Sequence, residues 1–220
     1  MTTYTLKVRN LSEFAKSYVW FMEPPIVTSK GGSTPVFTNA WVTFNAVTSG
    51  SNDTVIYTDE TFAYWSKTPI QVAPGTTMGE AGDAPVDTSL QDTLSFFGSV
   101  ATGGVGFGPV THGGASTGSY SIITTCDFNR SNGYLFGLAR PGSIPGIPSP
   151  VATFVAQPNE TYNVTPVIKF FVSDGLFVPG AIIDYGQVST KAQVVDFTGR
   201  SQTSVVVTHG ENGDFSAEYY

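Results

Sequence analysis

The stretch that decides the fold is KAQVVDFTGRSQTSVVVTHGENGDFSAEYY, residues 191–220. It reads as three strands joined by two polar turns. Phe215, Ala217 and Tyr219 alternate with polar neighbours, the two-residue period that sends one face of a strand to a core and the other to water. At the opposite end Tyr4, Leu6 and Val8 repeat that period, interleaved with Thr5, Lys7 and Arg9. Both ends of the chain therefore read as sheet.

Working inward, strand candidates punctuated by turn residues fall at 3–9, 17–23, 36–48, 53–58, 61–66, 92–97, 119–126, 133–138, 151–157, 164–172, 191–197, 203–208 and 213–219. This spacing suits a sandwich or a barrel. No segment holds helical apolar spacing over three turns, although LSEFAKSY at 11–18 has room for one helical turn. The 24 glycines and 14 prolines suit turns, because in a helix interior they cost about 1 and about 3 kcal/mol relative to Ala. The expectation is an all-β, single-domain antiparallel β-sandwich over 1–220, with barrel-like closure as an alternative. Long Gly/Pro-rich loops are expected near 73–91, 98–118 and 139–150, and ordered loops of that length often carry function.

A chain of 220 residues can bury roughly 70% of its unfolded surface, so a sizeable core is available. Charged residues are 12% of the total and aromatics 13%, which makes packing rather than ion pairing the source of stability. The net charge of −7, with ten scattered Lys and Arg, argues against nucleic acid and against anionic membranes as partners. No apolar run approaches the roughly 20 residues that span a bilayer. The start MTTYTLKVRN lacks a secretory layout, so a cytoplasmic protein is expected, although a mature fragment behind a new Met would look the same. Cys126 is alone, consistent with a reducing compartment, and its place in SYSIITTCDF suggests a small buried hydrophobe. Most of the five N-x-Ser/Thr triplets, at Asn10, Asn52, Asn129, Asn159 and Asn163, then read as turn residues.

Nothing in the sequence assembles a strong catalytic motif. Two His and one Cys exclude a three-His or Cys-rich zinc site, and no spacing rule brings His112 to His209, so no metal and no cofactor are expected. Glu211, Asn212 and Asp214 are of the residue types that bind Ca²⁺, but Asn-Gly between alternating strands is first a hairpin signal. Glu80, Asp83 and Asp87 read as carboxylates that keep a loop solvated. For acid–base work the candidates come from carboxylates in or beside strands, Glu23, Asp127, Asp174, Asp184 and Asp196, with Asp127, Asp184 and His112 foremost. For ligand stacking they are Trp41, Trp65, Phe107 and His112. In TFAYWS, 61–66, alternation places Phe62 and Tyr64 on one face and Trp65 on the other, and at least one Trp is expected to reach the surface.

Two blocks carry a family resemblance. The first comprises Asn10, YVWFMEPP at 18–25, TNAWVTF at 38–44 and TFAYWS at 61–66. The second runs QPNETYNVTPVIKFFVSDG at 157–175, PGAIIDYGQVSTKAQVVDFTG at 179–199 and TSVVVTHGENGDFSAEY at 203–219. Together they resemble the RhiA-like family of rhizosphere-expressed proteins over roughly the first 70 and last 65 residues, while 75–150 does not match. The resemblance implies a β-sandwich associated with a microbe's dealings with its surroundings or with secondary metabolism, and it carries over no catalytic motif.

From these features the expected function is a cofactor-free β-sandwich that binds a small molecule or glycan through its long loops, with a homo-oligomer as an option. The alternative is a cofactor-free cyclase or isomerase of a biosynthetic pathway. In it an apolar pocket lined by Phe170 and Phe171 would position a substrate beside a single acid or base, Asp127 or Asp184.

Overall fold

The computed structural model describes residues 2–68, 71–99 and 104–220. Its strands are, in chain order, β1 (Thr3–Asn10), β2 (Lys16–Met22), β3 (Ile26–Ser29), β4 (Gly32–Ser33), β5 (Phe37–Asn39), β6 (Val42–Val47) and β7 (Asn52–Thr58). Then come β8 (Thr61–Lys67), β9 (Ala81–Val86), β10 (Thr93–Phe97), β11 (Gly106–Phe107), β12 (Tyr120–Thr124), β13 (Tyr134–Pro141) and β14 (Pro148–Val155). The last are β15 (Thr161–Thr165), β16 (Phe170–Asp174), β17 (Ile182–Ile183), β18 (Gln193–Val195), β19 (Ser204–His209) and β20 (Phe215–Tyr219), with one short helix, α1 (Tyr185–Ser189), before β18.

These strands form four open sheets, β20-β19-β1-β7, β18-β16-β2-β6, β11-β10-β12-β15-β3-β4 and β17-β5-β14-β13-β8-β9, and none closes into a barrel. Most ladders are antiparallel as expected. Two are parallel, β1 with β19 and β10 with β12. The first pairs Leu6 with Val205 and Val8 with Val207, so the alternation read at the two ends of the chain belongs to one sheet.

Aromatic contacts show which sheets face each other. In the terminal pair Tyr18 of β2 meets His209 of β19, and Tyr57 of β7 meets Phe170 of β16 at 4.9 Å. In the central pair Phe96 of β10 packs on Phe136 of β13 at 4.8 Å and on Trp65 of β8 at 5.7 Å, and Phe154 of β14 on Tyr162 of β15 at 5.0 Å. Tilted and edge-on rings of this kind add about 0.5–1.5 kcal/mol per pair beyond the area they bury. The chain passes back and forth between the two pairs, and one cluster of buried side chains runs through both.

Local chemistry explains where the sequence expectations need correction. The 11–18 segment is not helical: Asn10 folds back, its Oδ1 accepting from Ser12 N and Oγ and its Nδ2 donating to Phe14 O and Val47 O, a turn that competes with helix. The run 36–48 divides at Ala40–Trp41, where the chain leaves β5 in one sheet for β6 in another. The run 164–172 divides at Pro166, which cannot donate to a ladder, so β15 and β16 lie in different sheets. Within 73–91 lies β9, paired with β8. The 139–150 segment is the end of a hairpin rather than a loop, since β13 and β14 pair out to Pro141 and Pro148, with the prolines at the strand ends that tolerate them. In 98–118 the short β11 is the only strand among the described residues, and 100–103 lie outside them. Cys126 is exposed, not buried, because β12 ends at Thr124 and the alternation ends with it.

Gly137 occupies the centre of β13, where Tyr120 Oη from the facing sheet donates to its carbonyl at 2.8 Å. A Cβ there would overlap the Ala152 carbonyl oxygen of β14. Gly137→Ala is expected to lower unfolding stability by about 1–3 kcal/mol, read from urea denaturation midpoints at unchanged slope.

Candidate functional site

The strand connections of the central sheet pair gather around a cleft of about 700 Å³. Asp59 and Glu60 come from the β7–β8 crossover, Pro85 to Leu90 and Asp92 from the end of β9 and its turn, His112 from the loop before β12, Arg140 from β13, and Ile168 from the β15–β16 connection.

The turn after β9 is built by its own side chains. Asp87 Oδ1 accepts from Ser89 N at 2.7 Å and Ser89 Oγ at 2.6 Å, and these bonds hold its carboxyl below the usual carboxylate range. Asp92 Oδ2 closes the turn by accepting from Asp87 N at 2.8 Å. The other oxygen of Asp92 meets His112 Nδ1 at 2.7 Å. In this pair the carboxylate side chain is 5% exposed and the imidazole 72%, so a buried acid steadies a ring that stands in solvent. Reciprocal backbone bonds between Thr93 and Thr111, 2.8 and 2.9 Å, fasten the loop one residue before His112. Nδ1 is engaged by Asp92, while the ring itself stands 72% exposed.

Arg140 lies beneath. It is 2% exposed, and its Nη1 donates to Asp59 O at 2.8 Å, Glu60 O at 3.0 Å and Thr61 Oγ1 at 2.6 Å. Its guanidinium carbon sits 5.6 Å from the Tyr57 ring centre. Burial pushes the Tyr57 hydroxyl up to about 12, and the Arg140 charge works against that rise.

Of the expected ligand-stacking residues only His112 lies on this cleft. Trp41 is 1% exposed and donates from Nε1 to Pro141 O at 3.1 Å, while Trp20 and Trp65 are also buried, so no Trp reaches the surface. In β8 the alternation holds, with Ala63 and Trp65 in the core between the sheets and Phe62 and Tyr64 on the other face, which is also largely covered. Phe107 packs on Phe96 and Phe136. The expected acid–base carboxylates also have structural employment. Asp127 accepts from Gly98 N and Thr125 Oγ1, Asp184 caps α1 by accepting from Gln187 N, and Asp196 accepts from Thr198 N. Glu23 pairs with Lys169 at 2.8 Å, and Asp174 lies 3.9 Å from Lys16. Phe170 and Phe171 are buried in two different clusters of packed side chains rather than along the cleft. Sequence reasoning missed Asp92 and Arg140. For Arg140 a signal existed, a lone cation ending the apolar run YLFGLAR.

The two histidines serve different places. His209 is 2% exposed, its Nδ1 lies 2.9 Å from Tyr18 Oη, and its ring stacks on Phe215 at 4.4 Å. The turn 210–214 beyond it is the expected hairpin: Gly210 N donates to Asp214 O, and Gly213 takes a φ of 84° that glycine tolerates. Among the described residues no group of three or more His, Cys, Asp or Glu is placed to hold a metal, and no helix is long and apolar enough to cross a membrane.

Facing open sheets with a cleft at their connections define an all-β, sandwich-like protein. The RhiA family model matches residues 1–219, so the chain belongs to the RhiA family, and the match includes the middle segment that the sequence resemblance left aside. No curated protein and no solved structure gives a match.

Burial holds the His209 imidazole below its usual 6.5, with Lys16 adding to the effect and Asp174 opposing it. The unfolded chain therefore takes up this proton first. Stability from neutral His209 is complete above about pH 6.5 and declines as pH falls through that value toward the lower folded pKa. Urea midpoints measured on either side of that window should fall toward acid, and His209→Gln should flatten that part of the profile.

Proposed function

We propose that this protein is a cofactor-free binder of a small molecule or glycan and that the ligand sits in the cleft around His112. The observation that carries the reading is the Asp92–His112 pair, a buried acceptor 2.7 Å from an outward-facing imidazole. Rigid polar groups beside apolar surface are how a shallow site orients a hydroxylated ligand. Here the apolar surface comes from Phe62, Pro85, Leu90 and Ile168, with Leu90 48% and Ile168 39% exposed. Asp59, Glu60 and Asp87 offer acceptors for hydroxyl groups along the rim.

The same pair favours one second reading, a cofactor-free cyclase or isomerase in which His112 Nε2 moves a proton while Asp92 holds the tautomer. It differs from the apolar pocket expected for such an enzyme, because this cleft is charged and opens to solvent. Exchange of a substrate proton for solvent deuterium, abolished in Asp92→Asn, would favour it over simple binding.

A glycan array and a thermal-shift screen of small metabolites test the binding reading. At least one ligand should raise the melting temperature of the protein. His112→Ala should weaken that ligand about tenfold or more, with the affinity compared at a temperature where the variant is folded, since losing the imidazole leaves Asp92 Oδ1 without its partner. Empty results from both screens overturn the reading.

A further inference from the structure

Three carboxylates on the cleft around His112 have no cation of the chain to neutralise them. Asp59, Glu60 and Asp87 line it and are exposed, and among the described residues none of them forms an ion pair. The Asp87 side chain is fixed in place: Oδ1 takes the bonds from Ser89 and Leu90, and Oδ2 accepts from no protein group among the described residues. The Ser89 bonds hold the Asp87 carboxyl low and a charged His112 adds to the effect, so the ring and this carboxylate lie within electrostatic reach of each other. The Glu60 carboxylate accepts from the Thr58 hydroxyl at 3.1 Å and the Asp59 carboxylate from Thr2 N at 3.4 Å, both neutral donors.

One cation, Arg140, lines the same cleft. It is 2% exposed, and its Nη1 is turned onto the main-chain carbonyls of Asp59 and Glu60 and the Thr61 hydroxyl, so it forms no ion pair with the exposed acids. Like charges gathered around a concavity repel one another, and the protein walls concentrate their field inside it. A cation that enters relieves this repulsion, whereas an anion adds to it. His112 belongs to the same set. Where its Nδ1–H is donated to the buried Asp92, the other nitrogen of a neutral ring is an acceptor. The polar lining is therefore rich in acceptors, and it stands beside the apolar surface of Leu90 and Ile168, 48% and 39% exposed. At about 700 Å³ the cleft has the volume of a small-molecule site.

We propose that the ligand of this cleft is a small organic cation, an amine carried on a hydroxylated body, of which an amino sugar is the sugar form. This rests on the reading that the cleft binds a ligand, and it adds the sign of the ligand's charge and the groups that select it. The ammonium sits among the Asp59, Glu60 and Asp87 carboxylates, the hydroxyls donate to the remaining acceptors, and the carbon skeleton lies against Leu90 and Ile168.

Three probes with similar polyol chains and different charges test this: N-methylglucamine, a cation, sorbitol, which is neutral, and gluconate, an anion. Each is titrated into the wild-type protein at low salt and followed in ¹H–¹⁵N spectra. N-methylglucamine should move the Ser89, Leu90 and His112 amides to saturation and bind about tenfold more tightly than sorbitol, with gluconate weaker than both. Added salt should shrink that preference, because exposed charges are screened. The triple variant Asp59→Asn, Glu60→Gln and Asp87→Asn removes the charges and keeps an acceptor oxygen for Ser89. It should bind N-methylglucamine no better than sorbitol, with the sorbitol affinity retained. If the variant does not fold, the ranking of the three probes on the wild type and its salt dependence decide alone. Sorbitol or gluconate binding as tightly as N-methylglucamine overturns the choice of a cation and leaves the binding reading intact. A preference for the cation that survives in the triple variant places it on another acidic surface and overturns the site. No response to any of the three probes also overturns the proposal, whereas the broader ligand screens decide the binding reading separately.

Discussion

The rest of the structure depends on how the chain changes sheets between β7 and β8. At that step it leaves the terminal sheet pair for the central one, and no neighbouring strand is in register to receive the carbonyls of Asp59 and Glu60. Carbonyls that lack a ladder partner need another donor, and Arg140 reaches these from the end of β13. The neighbouring crossover, β5 to β6, is pinned in the same way, by Trp41 Nε1 on the carbonyl of Pro141. Two long side chains with N–H groups at their tips thus close the seam between the sheet pairs. One of them brings a charge into it.

The cleft is a consequence of that seam. Strands end there and the chain reverses, so the lining is backbone and side chain of connections held between rigid ladders. The turn after β9 fills its own hydrogen bonds through Asp87 and Asp92, and the reciprocal Thr93–Thr111 bonds set the loop that carries His112. Irregular segments anchored this way keep a fixed shape at little entropic cost on binding. The same positions that make the fold possible supply the charged and hydrogen-bonding groups that line the cleft.

Much of the fold was legible in residue order. The alternation at Tyr4–Val8 and Phe215–Tyr219, the turn chemistry of Asn212-Gly213 and the richness in Gly and Pro all act over a few residues, and each found its strand or turn. The failures came where distant chain decided. Pro141 and Pro148 read as loop punctuation, yet at paired strand ends they cost nothing. Trp41 and Trp65 read as ligand platforms, and both are packed because two layers of sheet cover them. Asp127 accepts from Gly98 N, twenty-nine residues away in the chain, a bond that no local pattern announced.

The sequence by itself determined an all-β chain whose two ends are strands, because strand alternation and turn geometry are local properties of φ, ψ and side-chain period. It also held His112 among the residues to watch. Only the tertiary structure decided that β1 and β19 lie parallel, that His112 rests on Asp92, and that Arg140 is buried without a counterion. Each of these joins residues from different strands or from the connections between them. Burial and pairing across layers depend on which segments become neighbours in space, and no periodicity within a single segment records that.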